Sequence, residues 1–330
     1  MMVGRILAGP IRHTLHGSRD MSNPDTASAA HAPFPRPLAL LLMCGMATLF
    51  ASNHVAARVA FDAGTGLLLA ILVRSGVALT ILACLMVVQQ KRLSLPAGTR
   101  SWQLLVGLLV TVQSLCLYSA VARIPVVVAL LLMNTLPVQL ALLSWALGGS
   151  RPTARAALIM GVILVGLVVV LDVPAWLGEP EAMGPEWLAG VGFGLAAASA
   201  FACALWITEH RLAEVGSTLR TLLTMLTVLV AMLAAGALEL VPGGLTLPLS
   251  LHGWMGLAAL GLFYGVAFST LFIFVPRLDM ARNGPAMNME PVAALVLGYV
   301  VLGQALSPVQ LVGGGIVVAG ILVLGFSKRA

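Results

Sequence analysis

The chain predicts an all-α polytopic membrane protein of ten transmembrane helices arranged as two inverted five-helix repeats, and three observations carry that prediction. Of its 330 residues, 60% are hydrophobic and 9% charged, with a mean hydropathy of +1.02, so no soluble globule of this length could hide its apolar side chains. Ten apolar stretches approach the length of about 20 residues that a ~30 Å hydrocarbon core requires. A displacement of 154 residues superposes Arg123 on Arg277, Asn134 on Asn288, Pro137 on Pro291, Val138 on Val292, Gly149 on Gly303, Gly161 on Gly315 and Gly166 on Gly320. Five spans separate equivalent points, an odd number of crossings, so the two copies face opposite sides of the bilayer, as in many secondary transporters.

The spans are expected at 38–58, 66–88, 102–122, 124–147, 155–171, 188–208, 222–240, 253–275, 281–302 and 309–326. Their apolar runs are continuous and lack the alternation of a barrel strand, and helices satisfy backbone amides within one segment. The organisation is then a tail at 1–37, a first repeat at 38–172, an acidic loop at 173–187 and a second repeat at 188–327.

The net charge of +6 could suggest a nucleic-acid partner, but the placement of the basic residues argues against it. Fifteen of the eighteen Lys and Arg fall on one side of the ten-span arrangement, Arg58 and Arg123 on the other, and Arg74 inside a span. The positive-inside rule puts both termini in the cytoplasm of a cell (inner) membrane protein. The segment holding Asp172, Glu179, Glu181 and Glu186 has no Lys or Arg and fits the outer face. The tail is polar, with no long apolar core, and does not read as a signal peptide; its composition fits disorder. Met21 is an alternative start, since everything the fold needs lies beyond it. His13 and His16 are a weak metal signal, and neither a metal nor a cofactor is expected. Cys44, Cys84, Cys116 and Cys203 fall inside spans with no paired spacing and read as small apolar fillers.

Ionisable groups at membrane depth are functional candidates, since burying them costs about 2.5–3.5 kcal/mol on insertion scales. Two qualify. Glu290 lies roughly 15 Å deep and Arg74 roughly 12 Å deep at 1.5 Å rise per residue, close enough for a pair. Glu290 reads either as a proton-coupling or substrate-amine site, or as a structural partner of Arg74. Its counterpart in the first copy is Leu136, so the acid is not part of the shared scaffold. Arg74 reads either as a fork for a substrate carboxylate or as a side chain that snorkels outward. Pro137 and Pro291 each remove a donor in mid-helix, a break tolerated only against protein or a wet cavity, and so read as hinges beside the site or as static kinks. Asn53, His54, Gln113, Tyr118, Asn134, Gln139, Trp206, Tyr264, Asn288 and Tyr299 form a second polar layer, each able to make an interhelical hydrogen bond and together able to line an aqueous path. His54 could titrate near neutral pH, or sit at the interface near a helix end. Small residues spaced four apart, Gly190 with Gly194 and Gly261 with Gly265, allow close helix contact within a monomer or across a homodimer seam.

The run NGPAMNMEPVAALVLGYVVLGQALSPVQLVGGGIVVAG resembles the closing motif of an EamA domain of the drug/metabolite transporter superfamily, through Pro291, Gly303 and Gly313 to Gly315. The first copy is similar through Pro137, Gly149, Arg151, Pro152 and Gly161, and Phe50, Asn53 and Arg58 resemble the first span of that repeat. Gln304 and Ser150 stand where the family usually carries Glu, which puts an interfacial salt bridge in doubt more than transport. The resemblance implies the fold and a transport activity, and leaves the substrate open.

No P-loop, H-E-x-x-H or G-x-S-x-G motif is present, and the loops are too short and plain for catalytic groups. The expected function is secondary transport of a small metabolite, plausibly export of an amino acid or related compound by alternating access, with or without proton exchange. A multidrug exporter of the same fold is the alternative, and a membrane-embedded enzyme or assembly subunit is the rival from another class.

Overall fold

The computed structural model describes residues 34–88, 95–96, 98–149, 151–171, 186–274, 277–278 and 284–327. The histidines of the tail, Asp172, Glu179, Glu181, Ser150 and the side chain of Asn288 lie outside the described part. Among the described residues there is no strand. The helices are α1 (Arg36–Asp62), α2 (Leu67–Val88), α3 (Arg100–Arg123), α4 (Val126–Met133), α5 (Leu136–Ala146), α6 (Ala154–Val170), α7 (Trp187–Arg211), α8 (Ser217–Ala237) and α9 (Leu251–Phe274). A 3-10 stretch (Gly284–Met289), α10 (Glu290–Leu302) and α11 (Pro308–Ser327) follow.

Every expected span meets helix, but they are not equally long. Among the described residues, seven segments are long and apolar enough to cross a bilayer, counting α4 and α5 as one, whereas Ala154–Val170, Glu290–Leu302 and Pro308–Val323 are shorter. The fourth and ninth spans are broken. α4 ends at Met133 and α5 begins after Thr135, whose backbone sits at φ −71° and ψ −9°. In the second copy the 3-10 stretch gives way to α10 after Met289, at φ −68° and ψ −14°. Residues 135 and 289 are equivalent under the 154-residue displacement, so both copies break at one point. Pro137 and Pro291 stand two residues past that point, Pro137 inside the single apolar span Val126–Ala146, and the N–H each lacks is the one that would have bonded back to residue 133 or 287, so the ladder is interrupted there.

Other local devices repeat as well. Thr153 caps α6, its hydroxyl accepting from the Ala156 amide at 3.2 Å. Ser307, its equivalent, makes a reciprocal capping box with Gln310 before α11, at 3.1 and 3.2 Å. α5 and α10 both run out into a left-handed glycine, Gly148 at φ 89° and Gly303 at φ 64°.

The packing is dominated by contacts between the halves. α3 lies along α7 as α9 lies along α1, α8 meets α3 as α2 meets α9, and α10 meets α1 as α5 meets α7. α2 with α8 and α6 with α11 complete the set, each helix facing its own equivalent, and the two broken spans meet through α4 and α10. Exchanging the halves leaves this scheme unchanged. Glycines make the close approaches, and they do so inside one molecule. A Cβ on Gly313 would lie 2.4 Å from the Val170 amide nitrogen, one on Gly190 2.5 Å from Ile124, and one on Gly265 2.8 Å from Val77. Of the cysteines, Cys84 is exposed on the outer surface of the bundle and fills no core.

Candidate functional site

A cavity of about 550 Å³ lies between the halves, walled by α1 to α5 and by α7, α8, α9, the 3-10 stretch and α10. Its lining residues run from Val106 to Leu117 on α3 and from Arg220 to Met225 at the start of α8, and fall in the second half of α7 (Ala204, Thr208) and of α9 (Phe268, Leu271). These helix portions meet at the end of the bundle that carries Arg100 and Arg211. The cavity therefore runs from mid-depth toward the basic end. At the other end Arg123 donates to Glu186 at 2.6 Å, and the Val126 amide donates to Gln304 Oε1 at 3.1 Å, so two contacts between the halves close that mouth. Gly190, which lets Ile124 approach α7, belongs to the same closure.

Arg74 forms one wall of the cavity and is 6% exposed. Its guanidinium lies between two rings, 4.9 Å from the centroid of Tyr118 and 4.9 Å from that of Tyr264. Its Nη2 donates to the Ser114 hydroxyl, which in turn donates to Gln113 Oε1 at 3.3 Å. Tyr118 is fully buried and exchanges hydrogen bonds with Asn53 at 3.2 and 3.4 Å, which fixes its ring. Ring faces attract a cation by about 0.5–2 kcal/mol each but neutralise no charge. The snorkelling alternative is excluded by this burial.

Glu290 is the first residue of α10 rather than a mid-helix residue, because the 3-10 stretch precedes it. Its Oε1 lies 3.5 Å from His54 Nε2. The expected pair with Arg74 is not formed: among the described residues Arg74 has no carboxylate within ion-pair distance. His54 sits well inside α1 at 6% exposure, not at an interface, with Nδ1 buried and unbonded. The Nε of Arg74 is likewise buried without a partner. The site thus holds a rigid guanidinium and, apart from it, a carboxyl–imidazole couple.

Of the residues expected from the sequence, Arg74, His54, Gln113, Asn134, Tyr264 and Glu290 line the cavity, and Asn53 and Tyr118 support it from behind. Asn134 uses its amide on the Leu130 carbonyl at 2.8 Å, tying off the end of α4. Trp206 is a correction: it stacks on His210 at 4.4 Å, off the cavity wall, because one helical face of α7 carries Ala204, Leu205 and Thr208 and the next carries Trp206. Gln139 is taken by Ser199, and Tyr299 is 65% exposed on the bundle surface. The sequence reading missed Ser114, Arg220 and the phenylalanines Phe201 and Phe268. The serine and the phenylalanines are ordinary in an apolar helix, and Arg220 reads as a membrane-edge anchor until the cavity is seen.

The family model described as EamA-like transporter family matches residues 37–172 and, separately, residues 188–326. The chain belongs to the EamA-like transporter family. Membership makes it a multi-pass membrane transporter of the drug/metabolite type, and the double match agrees with the repeated breaks, caps and contacts. The crystal structure of another protein superposes with a TM-score of 0.56 at 21% identity, covering 89% of this chain and 99% of the other. That likeness concerns the fold alone. The glutamate usual in EamA repeats is replaced here by Gln304, whose side chain nonetheless ties the end of α10 to the start of α4.

Proposed function

We propose that this EamA-like transporter is a secondary exporter of small carboxylate-bearing metabolites, amino acids or close relatives. It works by alternating access between two inverted five-helix repeats, 38–172 and 188–327, with both termini in the cytoplasm. The cavity mouth at the basic end then faces the cytoplasm, and the Arg123–Glu186 end is the closed outer gate. The observation that carries the reading is Arg74: a guanidinium buried in a membrane protein against two rings, with no carboxylate within ion-pair distance among the described residues. An uncompensated buried charge is costly, and a substrate carboxylate is the counter-ion that would relieve it. The planar fork of N–H donors on Arg74 suits a flat carboxylate.

Glu290 with His54 supplies the complementary pole, taking the substrate amine or a proton on the way. A multidrug exporter of cations would put its fixed positive charge elsewhere. The broken spans serve as hinges: residues 134–135 and 288–289 flank the cavity, so bending there changes its shape. The test is equilibrium binding to purified protein in lipid nanodiscs, with amino acids compared with their amides and with apolar cations. Thermal stabilisation by the carboxylates alone, lost in Arg74→Gln, is the expected result, since only a ligand that prefers the native state raises its midpoint. Stabilisation by the cations, unaffected by Arg74→Gln, would overturn it in favour of the multidrug alternative.

A further inference from the structure

The cavity contains a second guanidinium. Arg220 lines it from the first turn of α8, half-buried, with Thr221 beside it on the same wall and Thr208 across from it on α7. Arg220 donates through Nη1 to the Leu212 carbonyl at 3.2 Å, and among the described residues it has no carboxylate within ion-pair distance. Its backbone is held firmly: its carbonyl accepts from Gln103 Nε2 at 3.1 Å and from the Thr224 hydroxyl at 2.9 Å. Helix stability does not explain a cation here, because the first turn is the positive end of the helix dipole and disfavours one.

Depth separates the two guanidiniums. Arg74 is seven residues past the start of α2 and Arg220 three past the start of α8, and these helices begin at opposite ends of the bundle. With 1.5 Å of rise per residue and a ~30 Å core, about 15 Å of axial distance lies between them. One small solute does not reach both. Apart from the couple at His54, the cavity walls carry two positive charges and, between them, the rings of Phe201, Tyr264 and Phe268.

We propose that Arg220 is a second anion-binding station, which captures the carboxylate of an organic acid at the basic mouth before the acid moves inward to Arg74. This rests on the reading of Arg74 as the carboxylate site. A charge at the mouth of a low-dielectric cleft raises the local concentration of an opposite charge and the rate of encounter, and its effect is screened by salt. A deep, rigid guanidinium acts instead on residence time. The two arginines therefore have separable kinetic signatures.

The experiment is stopped-flow binding of indole-3-acetate, with indole-3-acetamide as the uncharged control, to the full chain in nanodiscs at 20 to 500 mM salt. Arg220→Gln should slow association about tenfold at low salt and flatten its salt dependence, with dissociation within twofold of the parent. Arg74→Gln should speed dissociation and leave the salt dependence of association in place. Arg220→Lys should restore most of the rate, and all variants should melt near the parent temperature. An unchanged association rate and salt slope in Arg220→Gln, with binding still lost in Arg74→Gln, would overturn the capture station and leave Arg74 as the site. Acid and amide binding alike, in every variant, would overturn both.

Discussion

Positions 136 and 290 occupy the same place in the two copies, each the first residue of a helix beyond a backbone break, and each lines the central cavity. One is Leu136 and the other Glu290. The backbone solution is shared down to the dihedrals of Thr135 and Met289, so the scaffold is indifferent to the side chain that follows. What differs is chemistry alone. The comparison teaches that the break belongs to the architecture of the repeat and the acid to the particular task of this transporter.

Six substitutions break or sharpen the comparison, the largest effect first. Glu290→Leu makes the two walls alike. It should abolish transport in proteoliposomes while leaving the melting temperature equal or higher, because replacing a buried acid by an apolar residue removes a desolvation cost. A matching fall in stability would instead make Glu290 a structural residue. Its companion, Glu290→Gln, should retain binding of carboxylates but lose the pH dependence of transport, read from initial rates against pH, if the carboxyl carries the proton. A profile that keeps its shape would assign the glutamate to amine recognition.

A smaller effect comes from the seam between α6 and α11. Gly313 meets the backbone of Val170, which cannot yield, whereas its equivalent in the first copy, Ile159, carries a full side chain. Gly313→Val should cost several kcal/mol or prevent folding, and Gly313→Ala about 1–3 kcal/mol, measured by unfolding in mixed micelles. The smallest effects are at the caps. Thr153→Ala should cost about 0.5–1 kcal/mol, and Ser307→Ala somewhat more, because only Ser307 takes part in a reciprocal box with Gln310. Equal losses at the two caps would mean that the Gln310 arm contributes nothing.

Much of the scaffold is legible in the amino-acid order, since apolar length and a fixed displacement report directly on helices and on repetition. Arg74 and Glu290 are legible as candidates because a charge in an apolar run stands out. Their mutual geometry is not. Whether the guanidinium meets a carboxylate depends on rotation about α2 and on the break before α10, and neither leaves a trace in hydropathy. The prolines, by contrast, do mark the breaks: Pro137 and Pro291 each withhold the N–H that would have carried the helix ladder across them. Trp206 and Ala204 are two residues apart on α7, so about 200° of helical rotation separates them, and composition cannot say which of the two faces the cavity.

The interlocked contacts of α3 with α7, α9 with α1 and α6 with α11 have a consequence for biogenesis. Neither half owns a core, so the portion synthesised first has no finished surface to collapse upon when it leaves the translocon. Until the later helices arrive, its glycine grooves stay filled by lipid, and the nascent chain is open to membrane proteases during that interval. Co-expressed halves should therefore protect one another from degradation, and either one made alone should be cleared.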